Sequence, residues 1–461
     1  NEAADLFLAI VKDDVRKCGN VVYVRHRGIW SQDRAQVVDI LVERCLRAGF
    51  VKLGPKGTLS VYSANISSAR NIVEATLLKI PNSPGFAEEL WLSTKGRLVW
   101  ADGYYDFNTG RFTSGFEDVF STIQIGRPFP QRDEALIAEL CRRVIDPIWG
   151  DLRGPFLDFA ARAMAGHVED KTWGVMMGER DCGKGVMGEL FNTAFDRYIT
   201  TISPDSLLCQ RMSFGGDEAK KLSWVSVMEH TRLAITNEIR LDEQGGLKLD
   251  GNMIKKIACG GDRIMSRRNY EDERLLRVQA TLLLACNDLP KVSPTDAYET
   301  LVPFDCPSKF VDTLTEADKA TQFLKQADPG VKDFCRRPEV GDAFFWLLAD
   351  AYKPHKVRLT DQMREFRDNL GGGESEIDKV KGAFVFTGDT DDKIPAKEVL
   401  DVMKRLGVNL SVSKVHGILA KRHPGGSYHA AKIGGKVVKC LIGFRPVSYT
   451  HLRAHETDSY L

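Results

Sequence analysis

The sequence lacks the cysteine spacing that builds a zinc site or a disulfide framework. Its ten cysteines include no Cys-x-x-Cys pair and no dense Cys/His cluster. They read as reduced, mostly buried thiols of an intracellular protein, nuclear or cytoplasmic. No apolar run approaches the length of a membrane span and no signal peptide is visible, so no membrane partner is expected. Charge of one sign is missing as well: 64 Lys and Arg stand against 63 Asp and Glu. Any contact with nucleic acid must therefore come from local patches rather than a global field. No long internal repeat is present.

What is present is a globular composition, 43% apolar and 28% charged over 461 residues, with room for about three domains. The chain begins at Asn1 rather than Met, which reads as a fragment with an upstream domain to be kept in mind. Residues 1–150 mix helical and strand patterns, an α+β unit. DLFLAIV (5–11) and QVVDILVERCLRAGF (36–50) have helical spacing, and VVYVRHRGIW (21–30) alternates like a strand ending at a turn. LVWADGYYDFNTGRF (98–112) predicts two short strands around a turn, then an Asn-Thr-Gly turn. Two helices, at 135–150 and 156–166, lead into the next unit.

From residue 172 short apolar runs alternate with helical pattern: TWGVMM, RLAIT and ATLLLAC. Such runs suit strands buried on both faces of a helix-covered sheet, so residues 151–330 predict an α/β domain. A helical extension follows over 331–370. GGG and an acidic stretch over 371–392 read as a linker. Residues 393–446 give a helix, a second helix opened by Ser411, a glycine-rich turn and two strands, the order of a winged helix. The last stretch, VSYTHLRAHETDSYL (447–461), resembles translated sequencing-adapter sequence and is set aside as foreign.

GERDCGKG (178–185) lies between an apolar strand and a helix. Glycines let backbone N–H groups turn toward phosphate oxygens, and the helix N-terminus adds its dipole. Gly178, Asp181, Cys182, Gly183, Lys184, Gly185 and Val186 are the candidate phosphate cradle, with Lys184 reaching the outer phosphates. Alone, the pattern also fits a glycine-rich surface turn. RLAITNE puts Glu238 past the end of a second apolar run, where a carboxylate can polarise water or hold Mg²⁺ through its shell. ATLLLACNDLP puts Asn287 past a third, where an amide can sense the γ-phosphate and orient water. Taken singly, these are a solvated strand end and an ordinary Asn-Asp turn. Together they point to a nucleotide site beyond the carboxyl ends of the strands.

Lys255, Lys256, Arg263, Arg267 and Arg268 crowd a short segment beside Tyr270. Cations beside an aromatic ring suit a single-stranded nucleic acid, although nearby acids also allow a solvated charged face. Residues 402–446 carry nine Lys and Arg and no Asp or Glu. Lys414, Lys421 and Arg422 fall on the would-be recognition helix and Lys436 on the wing. Phosphate binding is the expectation, and a wing used only for protein contacts is the alternative.

The order of these motifs resembles superfamily 3 helicases of the poxvirus-type and phage/plasmid primase-helicase kind, over most of the chain. LVWADGYYDFNTGRF is similar to that family's pre-helicase signature, GERDCGKG to Walker A and AITNE to Walker B. LKLDGNMIKKIACGGDRIMSRRNY is similar to the motif that follows, LLLACNDLPKV to motif C, and VPF (302–304) to the close of the ATPase domain. The resemblance implies an AAA+-like P-loop core with ATP and Mg²⁺ as cofactors. It implies a homo-oligomeric ring, usually a hexamer, that draws single-stranded DNA through its pore, and a primase domain or protein as a further partner. It assigns Lys184 to phosphate, Glu238 to Mg²⁺ and water, Asn287 to phosphate sensing, and the Arg263–Arg268 hairpin to DNA. Three positions depart from the family. Gly185 replaces the hydroxyl that ligates Mg²⁺, Asn237 replaces an acid, and AYETL (297–301) lacks the arginine expected before VPF, leaving Arg267 or Arg268 as substitutes. A nucleotide-gated DNA-binding protein with weak hydrolysis is therefore the alternative function. A small-substrate P-loop kinase fits the basic C-terminal unit less well.

Overall fold

A computed structural model describes residues 2–53, 56–63, 65–209, 222–236, 239, 248–266, 274–315, 323–371, 376–406, 408 and 410–447. Asn237, Glu238, Arg267, Arg268 and the tail from residue 448 lie outside them, so the readings placed on them have no structural account. The chain divides into two compact units, residues 1–367 and 368–461.

The first unit is built on a five-stranded, all-parallel sheet. Its strands are β1 (Trp173–Met177), β2 (Ile199–Ile202), β3 (Leu233–Thr236), β4 (Thr281–Cys286) and β5 (Leu301–Asp305), in the order β2-β3-β4-β1-β5. The three apolar runs are β1, β3 and β4, and every residue of β3 and β4 is buried. Runs this short and this apolar can satisfy their backbone only inside a sheet covered on both faces, and parallel pairing needs the helical crossovers that supply the cover. The cover includes α1 (Arg153–Met164), α2 (Lys184–Phe195) and α3 (Pro338–Ala351). Phe159 of α1 meets Phe304 of β5 edge-on at 5.3 Å, and Phe191 of α2 meets Phe344 of α3 at 5.1 Å.

Buried residues between Leu98 and Met363, drawn from each of the expected segments 1–150, 151–330 and 331–370, join one core. The 98–112 signature folds as an antiparallel meander of Arg97–Val99, Gly103–Asp106 and Arg111–Ser114. It is tied to α3: Trp100 packs on Phe345 at 4.7 Å, and just beyond the meander Arg127 pairs with Asp342 at 2.7 Å. A change of pattern along the chain marks a change of element type and not a break in packing, because apolar residues from both sides join the same cluster. Ahead of the meander, helices Glu2–Val11, Arg34–Ala48 and Ile66–Lys79 pack with the antiparallel strands Val15–Cys18 and Val21–His26 around a smaller core. VVYVRHRGIW is two strands, Val21–His26 and Ile29–Ser31, since Arg27 and Gly28 both take left-handed backbone and close a tight hairpin.

In the second unit, helices Ala396–Arg405 and Val412–Arg422 precede the hairpin Ser427–Ile433/Lys436–Ile442. Ser411 caps the second helix, accepting from the Lys414 amide. The span expected to be a linker differs. It contains helix Glu376–Ala383 and strand Phe384–Phe386, whose Val380, Ala383 and Phe384 are buried in this unit's core. Acidic composition hides an element that contributes only a few apolar residues. Among the described residues no helix is long and apolar enough to cross a membrane, and all ten cysteines are free thiols.

Helix α2, which follows the glycine loop, is held by a close backbone approach. A Cβ on Gly341 of α3 would stand 2.9 Å from the Ala194 backbone. Gly341→Ala is expected to lower stability by about 1–3 kcal/mol through forced separation of the two helices, read by chemical denaturation. A neutral result would place α3 elsewhere.

Candidate nucleotide-binding site

The loop GERDCGKG leaves the carboxyl end of β1 and enters α2, with strands hydrogen-bonded on both sides of β1. Its path is fixed by main-chain bonds from both neighbours. Gly178 N donates to Cys286 O at the end of β4 (3.3 Å), and Cys306 N, just past β5, donates to Met177 O (2.6 Å). Phe310 N donates to Asp181 O (2.9 Å), and Lys309 pairs with Glu179 (2.9 Å). Asp181 and Gly183 both have positive φ, 64° and 104°, so the chain turns sharply and brings Gly183 to the helix N-terminus. An Asp tolerates that region, and a glycine adopts it freely. The first amides of a helix have no partner within it and carry the positive end of its dipole, which suits an anion.

Lys184 returns over this loop. Its ammonium donates to the carbonyls of Gly178 and Glu179 (3.0 Å for the latter), to Cys182 Sγ (3.3 Å) and to Asn287 Oδ1 (3.1 Å). Each of these is an acceptor that a phosphate oxygen can replace. Asn287 reaches Lys184 because Cys286 and Met177 pair in register and the two chains leave the sheet level with each other. Two of the three expected strand-tip groups thus meet. The main chain around the third is anchored to β4: Ala285 N donates to Thr236 Oγ1 (3.0 Å), and Ile239 N to Ala285 O (3.0 Å). Val186 N closes the first turn of α2 onto Gly183 O. Gly185 is exposed and has nothing within 4 Å of the place a Cβ would take.

Sequence reading missed Cys306, whose signal lies 120 or so residues from the loop and has no motif of its own. Its backbone oxygen stands 2.7 Å from where a Gly178 Cβ would be, and its thiol hydrogen-bonds Cys182. That bond holds the Cys182 thiol below its usual range, helped by the Lys184 ammonium against the effect of burial. The Cys306 thiol, giving its hydrogen to Cys182 and buried, is pushed up.

The basic segment forms an antiparallel hairpin of Arg263–Ser266 and Arg274–Arg277. Its base is tied to helix Phe86–Ser93, where Glu88 lies 3.7 Å from Arg263 and hydrogen-bonds Arg277. Lys255 pairs with Asp296 at 2.7 Å, and Lys256 also has a partner, so neither is an uncommitted cation. In the second unit Lys414 and Lys436 are exposed on the helix and the hairpin, and the side chains of Lys421 and Arg422 lie outside what the structure describes. Among the described residues no cluster of three or more His, Cys, Asp or Glu is arranged to hold a metal.

No family model matches the chain. It is similar to a Sputnik virophage protein named "Putative helicase V13", 28% identical over 316 residues, which is 67% of this chain and 40% of that one. The chain therefore spans about two fifths of this relative's length. Solved apo structures of the NrS-1 C-terminal region align with 95% and 96% of the chain and with 98% and 99% of theirs. Their TM-scores are 0.49, at 12% and 11% identity.

The loop glycines are predicted to differ in kind. A Cβ on Gly183 meets Ile148 Cδ1 at 2.6 Å on a left-handed backbone, and one on Gly178 meets the Cys306 carbonyl. Gly178→Ala and Gly183→Ala should each cost on the order of 1–3 kcal/mol and weaken nucleotide binding. Gly185→Ser should be neutral or gain a few tenths, since serine is the better helix former. Denaturation of the three variants checks this, and equal losses would contradict the loop described.

Proposed function

We propose that this chain is the motor part of an ATP-dependent DNA helicase of superfamily 3, serving replication of a virus or mobile element. The observation that carries the reading is the bond from Lys184 to Asn287. A lysine at the mouth of a helix and an amide at the next strand's tip converge where a triphosphate would lie. The similarity to a viral protein named as a helicase supports the same class.

In this reading the amides from Cys182 to Gly185 and the Lys184 ammonium hold the phosphates, the Val186 amide being spent on Gly183 O, and Lys184 moves from its carbonyl acceptors onto phosphate oxygens. Asn287 keeps hold of Lys184 or of the attacking water, so loss of the γ-phosphate changes what β4 feels. Glu238 would orient that water. Mg²⁺, held by the phosphates, waters and Glu238, would neutralise charge as the phosphoryl group transfers. Gly185 offers no hydroxyl, which makes the metal depend on fewer protein groups. The basic hairpin and the C-terminal unit would contact single-stranded DNA, in a homo-oligomeric ring, with a primase domain or protein as a further partner.

A second reading rests on Gly185 itself: a nucleotide-gated DNA-binding protein with little hydrolysis. The two separate on Gly185→Ser, which the open space accepts. A large gain in turnover marks a decayed site, and little gain marks one adapted to glycine.

ATP turnover, stimulated by single-stranded DNA, should fall by about 100-fold or more in Lys184→Ala, the scale of removing one strong electrostatic group. Absence of turnover with any divalent metal would defeat the helicase reading.

A further inference from the structure

Two cysteines from distant parts of the chain meet at the phosphate loop. Cys182 comes just before Gly183 and the start of α2, and Cys306 follows the last residue of β5. The place a Gly178 Cβ would take lies 3.0 Å from Cys182 Sγ and 2.9 Å from Cys306 Cβ, so both side chains border one small space. The Cys306 thiol hydrogen-bonds the Cys182 sulfur. Main-chain bonds hold the two segments there: Cys306 N donates to Met177 O at 2.6 Å, and Phe310 N to Asp181 O at 2.9 Å.

The two thiols are unlike in reactivity. The hydrogen bond from Cys306, and the Lys184 ammonium 3.3 Å from Cys182 Sγ, favour a thiolate at Cys182, the form that reacts with oxidants. Cys306 is the thiol that keeps its proton. Cys141 and Cys259 are less buried, and burial pushes both of their thiols up. Cys182 is 1% exposed, so only a small oxidant reaches its sulfur. Lys184, which lies against that sulfur, is half-buried on a flexible stem and can swing off it.

We propose that Cys182 and Cys306 form an oxidation site, a thiol pair that hydrogen peroxide converts to a disulfide tying the phosphate loop to the exit of β5. The Cys182 thiolate attacks one peroxide oxygen, so an S–O bond forms, the O–O bond breaks and hydroxide leaves. The Cys306 sulfur then attacks the Cys182 sulfenic acid. The S–S bond forms, the S–O bond breaks, and the Cys306 proton departs with the hydroxyl as water. Two electrons pass from the sulfurs to the peroxide. The site also senses nucleotide, and that part rests on the nucleotide reading of the loop. Phosphates draw Lys184 off the sulfur and set negative charge beside it, and both changes favour the protonated thiol. A filled site therefore resists oxidation.

The test treats the full reduced chain with hydrogen peroxide at neutral pH, caps the remaining thiols and maps its peptides without reduction. Peptides joined through Cys182 and Cys306 are expected, and a dithiol should part them. Cys306→Ser should leave a Cys182 sulfenic acid that dimedone traps, whereas Cys182→Ser should leave Cys306 unmodified. A non-hydrolysable ATP analogue with Mg²⁺ should slow the joining about tenfold, the loss of thiolate that one pKa unit brings. No joined pair, or dimedone labelling of Cys141 or Cys259 ahead of Cys182, overturns the proposal. Joining at an unchanged rate in a chain that equilibrium dialysis shows to hold the analogue overturns the nucleotide sensing. A chain that holds no analogue defeats the nucleotide reading instead, and the joined pair alone then decides the oxidation site.

Discussion

Two parallel strands that end level with each other are the constraint on which the site depends. Met177 and Cys286 are partners in register, and one residue further each chain leaves the sheet. From one side the backbone swings through Asp181 and Gly183 and sends Lys184 back across the loop. From the other, Asn287 stands ready to receive it. Slipping either strand by one residue would exchange the side chains packed on the sheet's two covered faces and mismatch both, so close packing of β1 and β4 enforces the polar geometry at their rim. The placement of polar groups here is a by-product of burying hydrocarbon.

Much of this was legible in the sequence, for a physical reason. TLLLAC can only be a doubly covered strand, and an abrupt change to Asn-Asp-Leu-Pro marks where it leaves the sheet. The same logic exposed β1 and β3, and the glycines of GERDCGKG marked the turn between strand and helix. The first two strands of the meander at 97–114 were equally local, whereas the hairpin at Arg27–Gly28 was read as one strand ending at a turn. What stayed hidden depends on contacts between distant segments. Nothing near Cys306 says that its carbonyl will crowd Gly178 or that its thiol will bond Cys182. Leu301–Asp305 was visible only as the end of a domain, whereas it is the outer strand that walls the loop. The span 371–392 looked like a linker because charge dominates its composition, and the three residues that enter a core are too few to show a period.

Arg232 shows the same limit in another form. At the start of RLAIT it reads as a polar residue flanking a strand. Its burial is decided by Gly166, Thr94 and Tyr198, which come from other parts of the chain. The base of the basic hairpin is likewise tied, through the bond from Arg277 to Glu88, to a helix 189 residues earlier. The amino ends of β3 and β4 therefore carry a charged cluster of their own, while their carboxyl ends carry the candidate nucleotide site. Strands are stiff, so a change at one edge of this sheet is transmitted to the other more readily than through a loop.

The central claim, that the β1 loop and the β4 tip close on one triphosphate, is tested most directly by amide hydrogen exchange with and without a non-hydrolysable ATP analogue and Mg²⁺. Protection confined to peptides covering 178–187 and 284–289 is the predicted result, because the loop amides become donors and Asn287 is drawn in. Unchanged exchange across both, or protection of the loop with none at the β4 tip, would contradict it.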